Sequence, residues 1–188
     1  MAEIYFLIHT PYEHHGAVVT RVVTPAVREI RGAPELESLF FVRMSSPTWQ
    51  VRFRVVGKEE WLRESCRPAV LELLQPFRDG GQVTQVEETT YEREVERYGG
   101  PEGMALAESI YTADTLACLD LLELEREEKL GRSRRELALL LGERYADLLE
   151  LSGDRREEFY RFAWDWAREM GTWDEDDLAH LEERYGSQ

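Results

Sequence analysis

Leu39-Phe40-Phe41-Val42-Arg43-Met44-Ser45-Ser46-Pro47-Thr48-Trp49-Gln50-Val51-Arg52-Phe53-Arg54-Val55-Val56 decides the fold. Two runs rich in aromatic and β-branched residues, 39–44 and 50–56, flank the turn signal Ser45-Ser46-Pro47, which predicts an antiparallel hairpin. Upstream, residues 3–9 read as a first strand closed by Thr10-Pro11. From about His15, Val18, Val19, Val22, Ala26, Val27 and Ile30 recur with helical period around Pro25, which must bend or interrupt that helix. Downstream, residues 58–77 carry Trp61, Leu62, Val70, Leu71, Leu74 and Phe77 at helical spacing with an internal Pro68. Beyond Asp79-Gly80-Gly81, residues 83–91 alternate as a fourth strand. The order strand, helix, strand, strand, helix, strand predicts an α+β fold, a ferredoxin-like antiparallel sheet with two helices on one face.

The remainder reads as helical. Pro101 suits a first helical turn, and Ser133 with Glu136 forms a capping-box pattern before Leu137, Leu140, Leu141, Leu148 and Leu149. Gly153 ends that segment, and a last helix starts near Asp154 with Phe159, Phe162, Trp166 and Met170 on one stripe. The soft boundary falls at Gly99-Gly100. It predicts a ferredoxin-like part, 1–100, and an acidic helical extension, 101–188, packed on it.

The net charge of -15 over 188 residues is uneven: 1–100 carry 12 Lys/Arg against 15 Asp/Glu, and 101–188 carry 11 against 23. Such an acidic surface argues against direct, sequence-independent nucleic-acid binding, whose affinity comes largely from cation–phosphate contacts, but leaves room for a cationic peptide or basic protein. Cys66 and Cys118 fall in apolar helical contexts, where cysteine behaves as a small buried hydrophobe. The apolar N-terminal stretch lacks a basic flank and is too short to span a bilayer, so a soluble cytoplasmic protein is expected. No phosphate-binding loop, dinucleotide fingerprint, nucleophile elbow or zinc signature occurs, and no cofactor or metal is expected.

The chemistry-bearing residues concentrate in two places. Arg52 and Arg54, two apart on a strand, share one face. The stretch Thr90-Tyr91-Glu92-Arg93-Glu94-Val95-Glu96-Arg97-Tyr98-Gly99-Gly100 packs acid, arginine and tyrosine before a glycine pair. Together they suggest an anion-binding floor. The plainer reading is a set of sheet-face salt bridges to Glu94 or Glu96, each worth about 0–1 kcal/mol if exposed. His9, His14 and His15 cluster near the first strand with poor spacing for a metal, since no Cys-x-x-Cys or His-x-x-x-His supplies further ligands. A substrate-facing His9 or His14 that carries a proton is the better use of them. Trp173 with Asp174-Glu175-Asp176-Asp177 offers a partner-docking lip as the minor reading, whereas Trp164 and Trp166 read as core.

Phe40-Phe41-Val42-Arg43, Arg52-Phe53-Arg54, Tyr91 to Gly100 and Ala113-Asp114-Thr115 occur in an order and rough spacing that resembles the thiopeptide-type bacteriocin biosynthesis domain, over about residues 3–120. That domain is the C-terminal, glutamate-eliminating part of class I lantibiotic dehydratases. The resemblance implies that Arg52, Arg54 and Arg97, with Glu94, surround a glutamylated serine or threonine and strip glutamate from it as a lyase, leaving a dehydroamino acid. Arg43, Gln50, Tyr91 and Tyr98, in the same motifs, become candidate substrate-binding residues. The implied partners are a leader-bearing precursor peptide and a separate glutamylating dehydratase that handles glutamyl-tRNA; a homodimer is compatible.

Two departures stand out. The family's His-Leu-Arg-Leu-Arg reads Gln50-Val51-Arg52-Phe53-Arg54, and its late His-Met-x-x-Asn-Arg segment has no counterpart around His180. His9 and His14 are therefore carried as substitutes for the missing proton handler. Cycloaddition to a thiopeptide pyridine ring, and a non-catalytic peptide-binding or scaffold subunit, stand as the alternatives.

Overall fold

The computed structural model describes residues 2–169. Four strands, β1 (Ala2–His9), β2 (Leu36–Met44), β3 (Gln50–Gly57) and β4 (Gln85–Thr89), form one antiparallel sheet in the order β2-β3-β1-β4. With helical segments after β1 and β3, this is the ferredoxin-like α+β arrangement that the hairpin and its flanks predict. Strand β4 is shorter than the expected 83–91, because the chain leaves the sheet after Thr89 and folds back on itself.

Strand periodicity sorts the two faces. Ile4, Phe6 and Ile8 of β1, Val51, Phe53 and Val55 of β3, and Leu39 of β2 join the hydrophobic core under the helices, and Phe6, Ile8 and Phe53 are fully buried. Full burial of a side chain of this size stabilises the fold by about 1.5–3 kcal/mol. The intervening residues, among them Tyr5, Leu7, Arg52 and Arg54, lie on the opposite face.

Both core helices meet proline in the same way. Helix α1 (Tyr12–Val18) passes through a π turn, Val19–Val23, into α2 (Thr24–Ile30), which carries Pro25 in its first turn. Likewise α3 (Glu59–Trp61) passes through a π turn, Leu62–Cys66, into α4 (Arg67–Asp79), which carries Pro68 in its first turn. In each case the residue before proline donates its N–H five residues back, Thr24 to Val19 and Arg67 to Leu62. The wider turn accommodates the proline ring, which lacks an N–H and would crowd the preceding turn, so the helices run on through Pro25 and Pro68. Cys66 lies fully buried in this core, and burial pushes its thiol up to about 12, well away from thiolate reactivity.

Helix α5 (Pro101–Arg126) lies along β2. The backbone N–H groups of Leu39 and Phe41 donate to the Thr112 and Thr115 hydroxyls, both at 3.3 Å, which occupies an otherwise open sheet edge. Leu119 joins the core, and Arg28 and Arg31 of the first helical run pair with Glu123 and Asp120.

The compact units of the chain divide between Leu130 and Gly131, so α5 belongs to the unit that holds the sheet. The second unit contains α6 (Arg134–Leu148) and α7 (Asp154–Glu169). Ser133 caps α6 through the predicted reciprocal box with Glu136, and Arg156 of α7 pairs with Asp147 at 2.9 Å and with Glu143. Substituting Ser133→Ala should cost this unit about 0.5–2 kcal/mol, read as lost helicity on thermal melting. The expected apolar stripes are largely solvent-facing: Leu140, Leu141, Leu148, Leu149 and Phe162 are exposed, the last at 71%. Among the described residues, helical spacing in these segments therefore does not mark a buried face. Met170, the 173–177 lip and His180 lie outside the described residues, as does the Trp166 side chain. No helix among the described residues is long and apolar enough to cross a membrane.

Candidate functional site

The face of the sheet opposite the core helices holds an open groove of about 670 Å³, lined by Tyr5, Leu7, Met44 and Arg52 from the strands and by Thr90, Tyr91, Glu92, Arg93, Glu94 and Arg97 from the segment after β4. That segment is shaped locally. Tyr98 N–H donates to Glu94 O, Gly99 to Glu96 and Gly100 to Val95, and the two glycines take φ of 78° and 103° before Pro101 opens α5. The turn presses closely on the helix, since a Cβ at Gly103 would sit 1.8 Å from the Tyr98 carbonyl oxygen.

The three arginines singled out by sequence are placed differently. Arg52 is half-buried in the groove and its Nε donates to Gln50 Oε1 at 2.8 Å. Among the described residues no carboxylate lies within salt-bridge distance of it, so most of its fork is unused. Arg97 also lines the groove; it is exposed, pairs with Glu94 at 3.0 Å, and lies 5.9 Å from the Tyr98 ring centroid. The adjacent Glu94 raises its affinity for its proton further.

Arg54 shares the sheet face but not the groove lining. Its side chain is only 7% exposed, held by Glu3 at 2.7 Å and Glu108 at 2.7 Å, with its guanidinium 4.4 Å from the Tyr91 ring centroid and 5.8 Å from that of Phe40. Cation–π contact and charge-assisted hydrogen bonds together make this a tie beneath the site. Glu3 also accepts the Tyr91 N–H at 2.8 Å, and Glu108 takes two further bonds from Arg93, at 2.6 and 3.0 Å. The network Glu3–Arg54–Glu108–Arg93 thus fastens β1, β3 and α5 to the 90–97 segment. A shared pocket for Arg52, Arg54 and Arg97 is corrected to a groove with Arg52 and Arg97 at its surface and Arg54 under its tyrosine wall.

The other candidates scatter. Glu94 and Tyr91 line the groove; Gln50 is buried and holds Arg52. Tyr98 bonds to the Tyr111 hydroxyl beside the groove. His9 lies on the groove's sheet face, opposite Gln50 in register, 3.0 Å from Glu87 and 3.2 Å from Thr48, outside the groove lining. Arg43 and His14 do not reach the groove: Arg43 is on the other face, 5.0 Å from the Tyr12 ring centroid and 3.4 Å from the His15 ring nitrogen, and His14 belongs to α1. A one-residue step along β2 reverses the side, which is why Arg43 separates from Arg52 despite their common motif order. Glu3, Tyr5 and Glu108 escaped sequence reading, because isolated acids and an N-terminal strand tyrosine carry no periodic signal. No group of three His, Cys, Asp or Glu side chains among the described residues could hold a metal.

Electrostatics follow from these placements. Burial pushes the Tyr5, Tyr91 and Tyr111 hydroxyls up, so all three stay protonated at neutral pH. Burial alone would raise Glu108, but the bonds from Arg93 and Arg54 outweigh it and hold its carboxyl low. His15, fully buried and bonded to the Thr10 carbonyl at 3.1 Å, is pushed down, first by burial and also by nearby Arg43, against the raising effect of that hydrogen bond. Both depressed groups bind protons less readily folded than unfolded. Stability is therefore expected to fall as pH drops below about 6.5, where unfolded His15 charges, and again below about 4.5, where Glu108 is forced to protonate. Urea midpoints measured across pH 8 to 3 check this; a midpoint that rises on acidification would contradict it.

Residues 4–188 match the family model described as lantibiotic biosynthesis dehydratase C-term. The subtilin biosynthesis protein SpaB of Bacillus subtilis is 30% identical over 120 residues, covering 64% of this chain and 12% of SpaB. The crystal structure of MibB from Microbispora sp. 107891, a tRNA dependent lantibiotic dehydratase, aligns with TM-score 0.58 at 25% identity over 70% of this chain and 12% of MibB. The pyridine synthase TbtD from thiomuracin biosynthesis shares the fold, with TM-score 0.52 at 15% identity over 90% of this chain and 69% of TbtD. The chain thus spans 12% of the length of SpaB and of MibB. With nearly its whole length matched by the family model, the chain belongs to the lantibiotic dehydratase C-terminal family.

Proposed function

We propose that this chain eliminates glutamate from a glutamylated serine or threonine of a ribosomally made precursor peptide, leaving a dehydroamino acid. The observation that carries the reading is Arg52, a guanidinium in the groove without a carboxylate partner among the described residues. A planar, permanently charged fork matches a departing carboxylate bidentately. Arg97 assists from the groove's rim, where its exposed, solvent-screened pair with Glu94 yields readily to a substrate carboxylate. In the reaction a base removes the Cα proton, the Cα–Cβ double bond forms, and the Cβ–O bond breaks with its electron pair leaving on glutamate. Glu94, a carboxylate in the groove lining, is the candidate base. A leader-bearing peptide and a glutamylating dehydratase are the partners this reaction calls for.

Purified chain incubated with a synthetic glutamylated-serine peptide is expected to release glutamate and leave dehydroalanine, read by mass spectrometry. Binding with no change of mass would overturn the reading in favour of a peptide scaffold.

A further inference from the structure

Tyr5 is the groove's most enclosed polar residue, 5% exposed, yet it lines the cavity. Its ring is wedged edge-on against Tyr91 at 5.4 Å and tilted against Phe40 at 6.4 Å, which fixes where the hydroxyl points. The Arg52 guanidinium, on the strand paired with that of Tyr5, faces the phenol and partly offsets the rise that burial imposes on its hydroxyl. A guanidinium can only donate. The phenol proton must therefore turn elsewhere, and among the described residues Tyr5 donates to no protein acceptor. An oriented O–H on a residue that lines the groove, with no protein acceptor among the described residues and beside the cation assigned to the leaving group, is a donor available to a ligand.

We infer that Tyr5 is a catalytic hydrogen-bond donor to the peptide carbonyl of the glutamylated residue, where negative charge develops as the Cα proton leaves. This rests on the elimination reading. The division of labour follows from charge: the substrate's full carboxylate goes to Arg52, and a neutral donor suits the transient oxyanion, to which its bond strengthens only as the proton is lost. Arg52 polarises the phenol and makes it the better donor. The step needs no co-reactant, because the Cα proton passes to the base and glutamate carries off the electron pair.

Tyr5→Phe removes the hydroxyl and keeps the ring against Tyr91 and Phe40. Its expected effect is a fall in kcat of about 10²–10³-fold with KM and melting temperature nearly unchanged. A second variant carries a ring-fluorinated tyrosine at position 5, whose phenol is more acidic. The charged and titratable groups facing it are Glu3 on its own strand, Arg52 and Arg54 on β3, and Tyr91 beyond β4. Since the phenol must keep its proton to donate, the alkaline limb of the kcat profile should move to lower pH in this variant. Packing alone would leave that limb in place. Wild-type turnover with Tyr5→Phe equally fast, or an unmoved alkaline limb, overturns the role of Tyr5 alone. Absence of glutamate loss in wild type overturns the elimination reading, and this role with it.

Discussion

Replacing Arg54 with alanine is expected to destabilise the sheet-bearing unit by about 3–5 kcal/mol, the usual cost of removing one partner from a buried ion pair. The side chain is 7% exposed and bridges Glu3 and Glu108, so truncation leaves two carboxylates short of their cation and opens a void beneath Tyr91. Arg93 still holds Glu108, but nothing replaces Arg54 against Glu3. Arg97→Ala removes an exposed, solvent-screened pair and should leave the denaturation midpoint nearly unchanged. Chemical denaturation of the two variants separates them. An Arg54→Ala midpoint equal to wild type would show that the buried network does not hold the groove together. Loss of activity in Arg54→Ala therefore cannot by itself assign Arg54 to the chemistry.

Arg52→Ala carries the opposite expectation, intact folding and lost turnover. Its side-chain bond within the strand, to Gln50, is a modest contributor, so melting should shift little. If Arg52 stabilises the departing carboxylate, its loss should lower kcat by about 10²–10³-fold, the scale for deleting one oriented donor from a charge-developing centre. Arg52→Lys keeps the charge but not the planar fork, and should recover only part of the rate. The check is single-turnover glutamate release at equal folded fraction; a rate within about twofold of wild type would remove Arg52 from the mechanism.

The sheet was readable because its strands alternate cleanly: Val51, Phe53 and Val55 against Arg52 and Arg54 leave little choice of face. The ends of elements were less so. Val83 to Tyr91 looks like one strand by composition, yet Tyr91 is drawn away by its N–H bond to Glu3, a contact 88 residues distant in sequence. The same long-range acid explains why Arg54 could not be told from Arg52: two arginines at identical spacing differ only in which carboxylates the fold delivers to them. The leucines of α6 mislead for a related reason, because helical period reports which residues share a face and not whether that face is covered. Arg43 belongs to the same motif set as Arg52 but sits one pleat out of phase with it, so family order placed it near a groove that strand geometry denies it.

The most direct measurement is a crystal structure of the chain with a peptide whose glutamyl ester is replaced by the non-eliminating amide. A glutamyl carbonyl group or carboxylate seated on the Arg52 guanidinium, with Arg54 still clasped by Glu3 and Glu108, is the predicted result. A peptide bound away from Arg52, or an Arg54 released from its carboxylates to meet the ligand, would contradict it.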